Sequence, residues 1–365
     1  MKIAIDGRGA ILYRGTGIGT YTWQLLTALS PDGVRIFLPG EELKNLCFSE
    51  NTLECDTKIR WESDFLPQAI KDEAIDLYHV PQNGLGLPTV KSCQQTVTIH
   101  DMIPYVFPET VGRGYLKEFL TKMPSVMENT DGIITVSQTS KEDIISLFNY
   151  PADKIAVIYE AAEPIYQPMA KSVAQTYLAE NYGLGGNYFL YVGGYGIRKN
   201  VKALILAYHL LKREHNVSWR LLLPGKQGGE FERLTTLVDA LGLNGDVIFP
   251  GYIPVKDMPY FYAAAEVMVY PSIYEGFGLP PLEAMAMGVP VISSDRSSLP
   301  EVLGSAPLYF DPFDTIALAE KMYTLYDNEA KAKELSRRSL QRAALFSWIK
   351  NAQQTKEFWQ RCLAD

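Results

Sequence analysis

Glu275-Gly276-Phe277-Gly278-Leu279-Pro280-Pro281-Leu282-Glu283 places two carboxylates eight residues apart, with a Gly-x-Gly turn and a proline pair between them. The stretch follows an apolar, strand-like run, Val267-Met268-Val269-Tyr270, and leads into a helix-like run, Leu282 to Met287, that stops at Gly288. Proline is favoured at the first helical position, so Pro280 or Pro281 marks the helix start. Glu275 then sits on the loop before the helix, and Glu283 lies in or just after its first turn. Free backbone N–H groups point out of such an N-terminus, and the two glycines let a ligand come close to them. An anion cradle flanked by two carboxylates that read hydroxyl groups fits this pattern.

Outward from this stretch, short apolar runs alternate with helix-like segments along the whole chain. The expected strands of the first half are Lys2–Ile5, Val34–Leu38, Leu77–Val80, Thr96–Ile99, Ile133–Val136 and Ala156–Tyr159, with amphipathic stretches such as Tyr21–Leu29 and Lys141–Phe148 between them. Ser137 stands where it can cap a helix. The proline-punctuated segment Glu163-Pro164-Ile165-Tyr166-Gln167-Pro168 reads as a linker. A second series follows, with strands at Tyr188–Val192, Trp219–Leu223, Val247–Phe249, Val267–Tyr270, Val289–Ile292 and Leu308–Phe310. Its helices include Val201–Arg213, Glu230–Leu241, Met258–Ala264 and Thr315–Tyr326. Alternation of this kind implies parallel sheets with helices on both faces. Two series imply two doubly wound domains facing a cleft, with ligands outside the carboxyl ends of the strands.

The 365 residues suffice for two domains. A net charge of −8 argues against general nucleic-acid binding. It also disfavours adsorption to an acidic membrane, although a local basic patch could still dock. Cys47, Cys55, Cys93 and Cys362 form no C-x-x-C pair, so neither a zinc site nor a disulfide framework is suggested. A reducing, cytoplasmic setting is expected, with room for peripheral contact at the inner face of the membrane. The opening residues hold no signal-peptide core, and no apolar run is long enough to span a bilayer.

Three further segments carry chemistry at strand ends. Gly15-Thr16-Gly17-Ile18-Gly19 could hold a phosphate on its backbone, or it could be a plain glycine-rich loop. A nicotinamide site would need G-x-G-x-x-G close behind the strand, and the spacing here differs. Glu41 and Glu42 follow the second strand, so a dehydrogenase stays open on that loop alone. His100-Asp101 follows the strand Thr96–Ile99, and the histidine could donate a hydrogen bond to substrate, act as acid or base, or be structural. Tyr105, Phe107 and Tyr115 could form an acceptor platform or ordinary core. In Gly193-Gly194-Tyr195-Gly196-Ile197-Arg198-Lys199-Asn200 the glycines bring backbone near a ligand and two cations follow. Fixed cations stabilise the charge that develops on a departing diphosphate, with one removed donor costing roughly 3–4 kcal/mol. Cations at a helix start oppose its dipole, so a compensating anion is expected there. The loops beginning at Gly225 and Gly251, the latter with Tyr252 and Ile253, could offer backbone groups to a nucleobase or be simple turns. No D-x-D motif follows a strand, so a bridging metal is not indicated. Neither a P-loop nor a G-x-S-x-G elbow is present.

Taken together these residues resemble family-four retaining glycosyltransferases. Glu275 to Glu283 looks like their E-x7-E motif, and Ala284–Ile292, Ser297–Val302 and Asp311-Pro312 continue the pattern. Gly15–Gly19, His100-Asp101, Thr135–Ser137 and Val192–Asn200 match further blocks in order. The resemblance implies a GT-B fold of two Rossmann-like domains. Phe346-Ser347-Trp348 resembles the point where the final helix crosses back, which gives an acceptor-side domain of 1–162 with 346–365 and a nucleotide-sugar-binding domain of 163–345. It also implies that Glu275 contacts donor-sugar hydroxyls, Glu283 binds the ribose, Arg198 and Lys199 hold the diphosphate, and His100 meets the sugar near its C6 hydroxyl. Backbone around Gly17, Gly193 and Phe277–Leu279 would line the phosphates and sugar.

The expected activity is retaining, metal-independent transfer of a hexose from a nucleotide sugar to a saccharide or lipid-linked saccharide in polysaccharide biosynthesis, with no cofactor. UDP-glucose is the first donor expected and GDP-mannose the second. A sugar-nucleotide epimerase of the same fold and a non-catalytic nucleotide-sugar-binding subunit remain as alternatives.

Overall fold

The computed structural model describes residues 2–29, 33–39, 52–55 and 60–364, with position 39 and the segment 52–55 described by backbone alone. Glu41, Glu42 and Cys47 lie outside the described residues. The chain forms two compact units, Met1–Ala161 with Ser347–Asp365, and Ala162–Phe346.

The first unit is built on strands β1 (Ile3–Asp6), β2 (Arg35–Pro39), β3 (Thr52–Cys55), β4 (Leu77–Val80), β5 (Gln94–Ile99), β6 (Gly132–Thr135) and β7 (Ile155–Val157). They pair in the order β3-β2-β1-β4-β5-β6-β7, all parallel. β1, β4 and β6 are buried at every position, as a sheet covered on both faces requires. β3 escaped the sequence reading. It is an edge strand paired to β2 alone, and Thr-Leu-Glu-Cys carries no continuous apolar run. The core on one face joins Tyr78, Val80, Val97, Ile99 and Ile133 to Phe119 and Met123 of the helix Arg113–Asn129. The helix Trp348–Ala364 packs on this unit: Trp359 is fully buried, its ring 5.2 Å from that of His79, and Asn351 donates to the Tyr159 carbonyl at 2.8 Å.

The second unit holds β8 (Tyr188–Leu190), β9 (Arg220–Leu222), β10 (Val247–Ile248), β11 (Val267–Tyr270), β12 (Val291–Ser294) and β13 (Leu308–Phe310). Their order is β10-β9-β8-β11-β12-β13, again all parallel. In their own strand sequence the first sheet thus runs 3-2-1-4-5-6-7 and the second 3-2-1-4-5-6. The winding reverses between β1 and β4 in one and between β8 and β11 in the other, and such switch points open the crevice in which doubly wound folds bind ligands.

Two local expectations change. Gly15–Gly19 is not a continuous loop: the helix Gly17–Leu29 begins inside it. Thr16 closes that start, its hydroxyl donating to the Tyr13 carbonyl at 2.7 Å and accepting the Gly19 N–H at 3.3 Å. The helix of the E-x7-E stretch spans Leu279–Ala286, starting one residue before Pro280, and both prolines fit its first turn, where an N–H is not needed. Ser137 does cap its helix, accepting the Ser140 N–H at 3.1 Å.

Candidate functional site

The switch point of the second unit gathers residues from the ends of β8 and β11. Arg198 and Lys199 form the last residues of a short 3-10 turn after β8, and Glu275 lies on the loop after β11. Lys199 Nζ lies 2.6 Å from Glu275 Oε1, and Arg198 Nη1 lies 3.1 Å from Oε2. The Tyr270 hydroxyl, at the end of β11, accepts from Lys199 at 2.9 Å and donates to Oε1 at 3.0 Å; Ser272 donates to the same oxygen. Glu275 is buried, which by itself would push its carboxyl up. Arg198 and Lys199, helped by the Lys199 and Ser272 hydrogen bonds, outweigh that and hold it at about 2. The carboxylate is therefore ionised. It is also the compensating anion that two cations at a helix start require, and it leaves the cluster with one net positive charge.

The loop is fixed from behind as well. Arg198 donates to the Tyr274 carbonyl at 2.8 Å, and the Ile273 N–H returns to the Arg198 carbonyl at 2.8 Å. The Glu275 N–H donates to Ser297 Oγ at 2.9 Å, while Ser298 Oγ bonds the carbonyls of Glu275 and Phe277 at 2.9 and 3.0 Å. Ser297 adopts φ 51°, a left-handed conformation uncommon for serine.

Glu283 is the fifth residue of the helix Leu279–Ala286, just past its first turn. The Tyr262 hydroxyl donates to Glu283 Oε2 at 2.7 Å. Tyr262 is fully buried, with Tyr166 of the linker edge-on at 5.5 Å between ring centroids. The loops after β8, β9 and β10 are tied in a row: Gly193 N–H donates to the Pro224 carbonyl at 3.3 Å and Gly225 N–H to the Gly251 carbonyl at 2.9 Å. The row brings Gly193 and Gly225 together at the carboxyl edge of the sheet, beside the loop where Tyr252 is 59% exposed and Ile253 is buried.

In the first unit Gly17 is the exposed first residue of its helix. His100 is buried, and both ring nitrogens have partners. Nε2 lies 2.9 Å from the Pro81 carbonyl oxygen, which only accepts, so this nitrogen carries a proton; Nδ1 lies 3.1 Å from Glu160 Oε1. The backbone of His100 is held too, its N–H by Asn83 and its carbonyl by Ser140. Both ring nitrogens thus face protein groups in this structure. Tyr105 and Tyr115 pack on Phe119, and Tyr105 also on Phe148, which is the core alternative for both.

Sequence reasoning missed Tyr270, Ser272, Tyr262 and the roles of Ser297 and Ser298. Tyr270 was read only as a strand residue, and Tyr262 as helix. Among the described residues no group of His, Cys, Asp and Glu side chains could hold a metal ion, and no helix is long and apolar enough to cross a membrane.

Residues 179–342 match the family described as glycosyl transferases group 1, and residues 15–164 match glycosyltransferase family 4. The chain is 36% identical over 287 residues to O-antigen chain mannosyltransferase B of Escherichia coli, covering 79% of this chain and 74% of that one. It is 31% identical over 288 residues to the serotype-specific mannosyltransferase WbdA of Escherichia coli, covering 78% of this chain but only 35% of WbdA. Among solved structures, sucrose-phosphate synthase from Thermosynechococcus elongatus matches with a TM-score of 0.77 at 24% identity, over 100% of this chain and 99% of that one. A doubly wound pair of α/β units with this site defines a GT-B glycosyltransferase fold. The chain belongs to the group 1, family-four glycosyltransferases.

Proposed function

We propose that the protein transfers mannose from GDP-mannose, with retention of anomeric configuration and without a metal ion, to a saccharide or lipid-linked saccharide in polysaccharide biosynthesis. The sequence alone ranked UDP-glucose ahead of GDP-mannose. The two relatives from Escherichia coli are named as mannosyltransferases, which favours the reverse order.

The observation that carries the reading is the Arg198–Lys199–Glu275 cluster at the switch point of the second unit. Its net positive charge suits a diphosphate, and both cations are preorganised before the donor arrives, so little reorganisation accompanies charge development. Oε1 of Glu275 already takes three donors, whereas Oε2 is approached by Arg198. Oε2, with fewer donors than Oε1, would be the oxygen that accepts a hydroxyl of the donor sugar. Glu283, oriented by Tyr262, would bind the ribose. As the bond from the anomeric carbon to the diphosphate breaks, the acceptor hydroxyl attacks from the same face and passes its proton to the departing phosphate oxygen.

A thermal-shift panel of nucleotide sugars tests the donor, because a ligand that binds the folded state raises its melting temperature by mass action. GDP-mannose should stabilise the protein most. Product NMR should then show the donor's anomeric configuration, and a chelator should leave transfer unchanged. Stabilisation by UDP-glucose alone would return the first-ranked donor, an inverted product would sink the retaining mechanism, and complete loss with chelator would sink the metal-free one.

A further inference from the structure

At the surface of the second unit the helices Lys171–Tyr182 and Met258–Ala264 lie side by side. A groove of about 410 Å³ runs along them, lined by Ser172, Val173, Thr176, Tyr177, Glu180 and Tyr260. The five residues from the first helix follow one another at spacings that put them on a single face, and they cover about 12 Å of its length. The Tyr177 and Tyr260 rings are stacked, with centroids 3.8 Å apart and planes 13° apart. The Tyr177 hydroxyl donates to Asp257 Oδ1 at 2.7 Å and the Tyr182 hydroxyl to Oδ2 at 2.7 Å, and Asp257 is buried. One buried carboxylate thus fixes the Tyr177 ring, and the stack fixes Tyr260. Beside this platform Val173 is 56% exposed, and Ser172, Thr176 and Glu180 are exposed as well. None of these residues takes part in the Arg198–Lys199–Glu275 cluster or in the Tyr262–Glu283 pair.

The chemistry of the lining limits the ligand. No basic side chain lines the groove, and the one basic residue of the first helix, Lys171, is paired with Glu266. An anion would therefore meet the Glu180 carboxylate with no cation to offset it. A protein partner fits poorly too: the centres of such interfaces are depleted in glutamate and serine, and Val173 is the single aliphatic anchor here. Stacked tyrosines offer an apolar, rigid surface of the kind that packs against C–H groups. Two hydroxyls and a carboxylate along its edge both donate and accept hydrogen bonds. A neutral pyranose chain carries the matching parts, a face of C–H groups and a rim of hydroxyls.

We infer that the groove between these two helices is a second saccharide-binding site, outside the strand-end crevices, that takes a short internal stretch of a neutral hexose polymer. Glu180, Ser172 and Thr176 bond its hydroxyls while Tyr177, Tyr260 and Val173 pack on its rings. That the polymer is the chain being built rests on the proposed function; on that reading the site keeps the growing glycan on the enzyme between transfers.

The test uses the full chain labelled with 2H and 15N. The backbone amide signals of Thr176 and Glu180 are followed while an α-linked mannotetraose or inorganic phosphate is titrated in. The tetraose should shift both signals and phosphate should not. Glu180→Ala and Tyr260→Leu should each weaken the tetraose at these signals about tenfold without changing the thermal shift given by GDP-mannose. Glu180 is exposed, so its variant carries the test even if Tyr260→Leu misfolds. Unmoved signals with the tetraose, a response to phosphate instead, or unchanged affinity in Glu180→Ala would overturn the site. So would shifts of the same signals on concentrating the protein without sugar, which would assign the groove to a second copy of the chain. The transferase reading fails separately: a chain that binds the tetraose here but transfers hexose from no nucleotide sugar refutes that reading and leaves the site standing.

Discussion

Lys199 Nζ and Glu275 Oε1 lie 2.6 Å apart, while Arg198 reaches the other oxygen of the same carboxylate. One buried anion therefore sets the positions of both cations that would face the diphosphate. Glu275→Gln removes the charge but keeps the shape. Transfer should fall by roughly two to three orders of magnitude, as for loss of a preorganised transition-state contact. The variant should still fold, with the second unit destabilised by about 3 kcal/mol, because two half-buried cations lose their partner. Steady-state kinetics and calorimetry read the two effects separately. Near-normal turnover would remove Glu275 from the site.

Acid should weaken both units, each through a different residue. Burial pushes the Glu275 carboxyl up, but the cations hold it at about 2, below its ordinary 4.5. Its contribution is complete above pH 4.5 and is lost as pH falls toward 2. In the first unit His79 lies between Thr96 and Thr98, at 2.9 and 3.0 Å, and burial lowers it from 6.5 to about 3. The unfolded chain takes up the proton that folded His79 refuses, so stability falls as pH drops from 6.5 toward 3, by roughly 3 kcal/mol at pH 4. Urea titrations of the wild type and His79→Asn should differ in slope across that window. Parallel curves would mean that His79 is not the group responsible.

Tyr262→Phe deletes the hydroxyl that donates to Glu283 Oε2. A hydrogen bond to a charged group contributes about 1.5–3 kcal/mol. If Glu283 binds the ribose, the donor KM should rise roughly tenfold or more while kcat changes little. An equal fall in kcat with unchanged KM would place Glu283 in the chemical step instead.

The contrast between these sites explains what the sequence made legible. The extents of β11 and β13 could be read residue by residue, because Val267–Tyr270 and Leu308–Phe310 are apolar runs bounded by breakers. The E-x7-E stretch declared itself through local spacing. Pairings made by topology did not. Asp6 meets Gln82 only because β1 and β4 are neighbours in the sheet. Tyr262 meets Glu283 across 21 residues, and His100 meets Glu160 across 60. A strand-end histidine looks equally available for catalysis whether or not a carboxylate far along the chain already holds it.

Gly225 tests whether the row of loops matters. Its N–H bonds the Gly251 carbonyl, and an ideal Cβ there would stand 2.2 Å from the Gly193 carbonyl oxygen and 3.0 Å from the Tyr195 ring. The first obstacle is backbone and cannot swing aside, and Tyr195 is itself buried and donates to the Leu223 carbonyl at 2.6 Å. Gly225→Ala must therefore push the loops after β8 and β9 apart, at a cost of about 2 kcal/mol. The displaced loop leads directly to Arg198 and Lys199, so nucleotide-sugar affinity should fall with stability. Gly194→Ala is the control, since no atom lies within 4 Å of a Cβ placed there. Equal nucleotide-sugar affinities in the two alanine variants would show that the spacing between these loops does not shape the site.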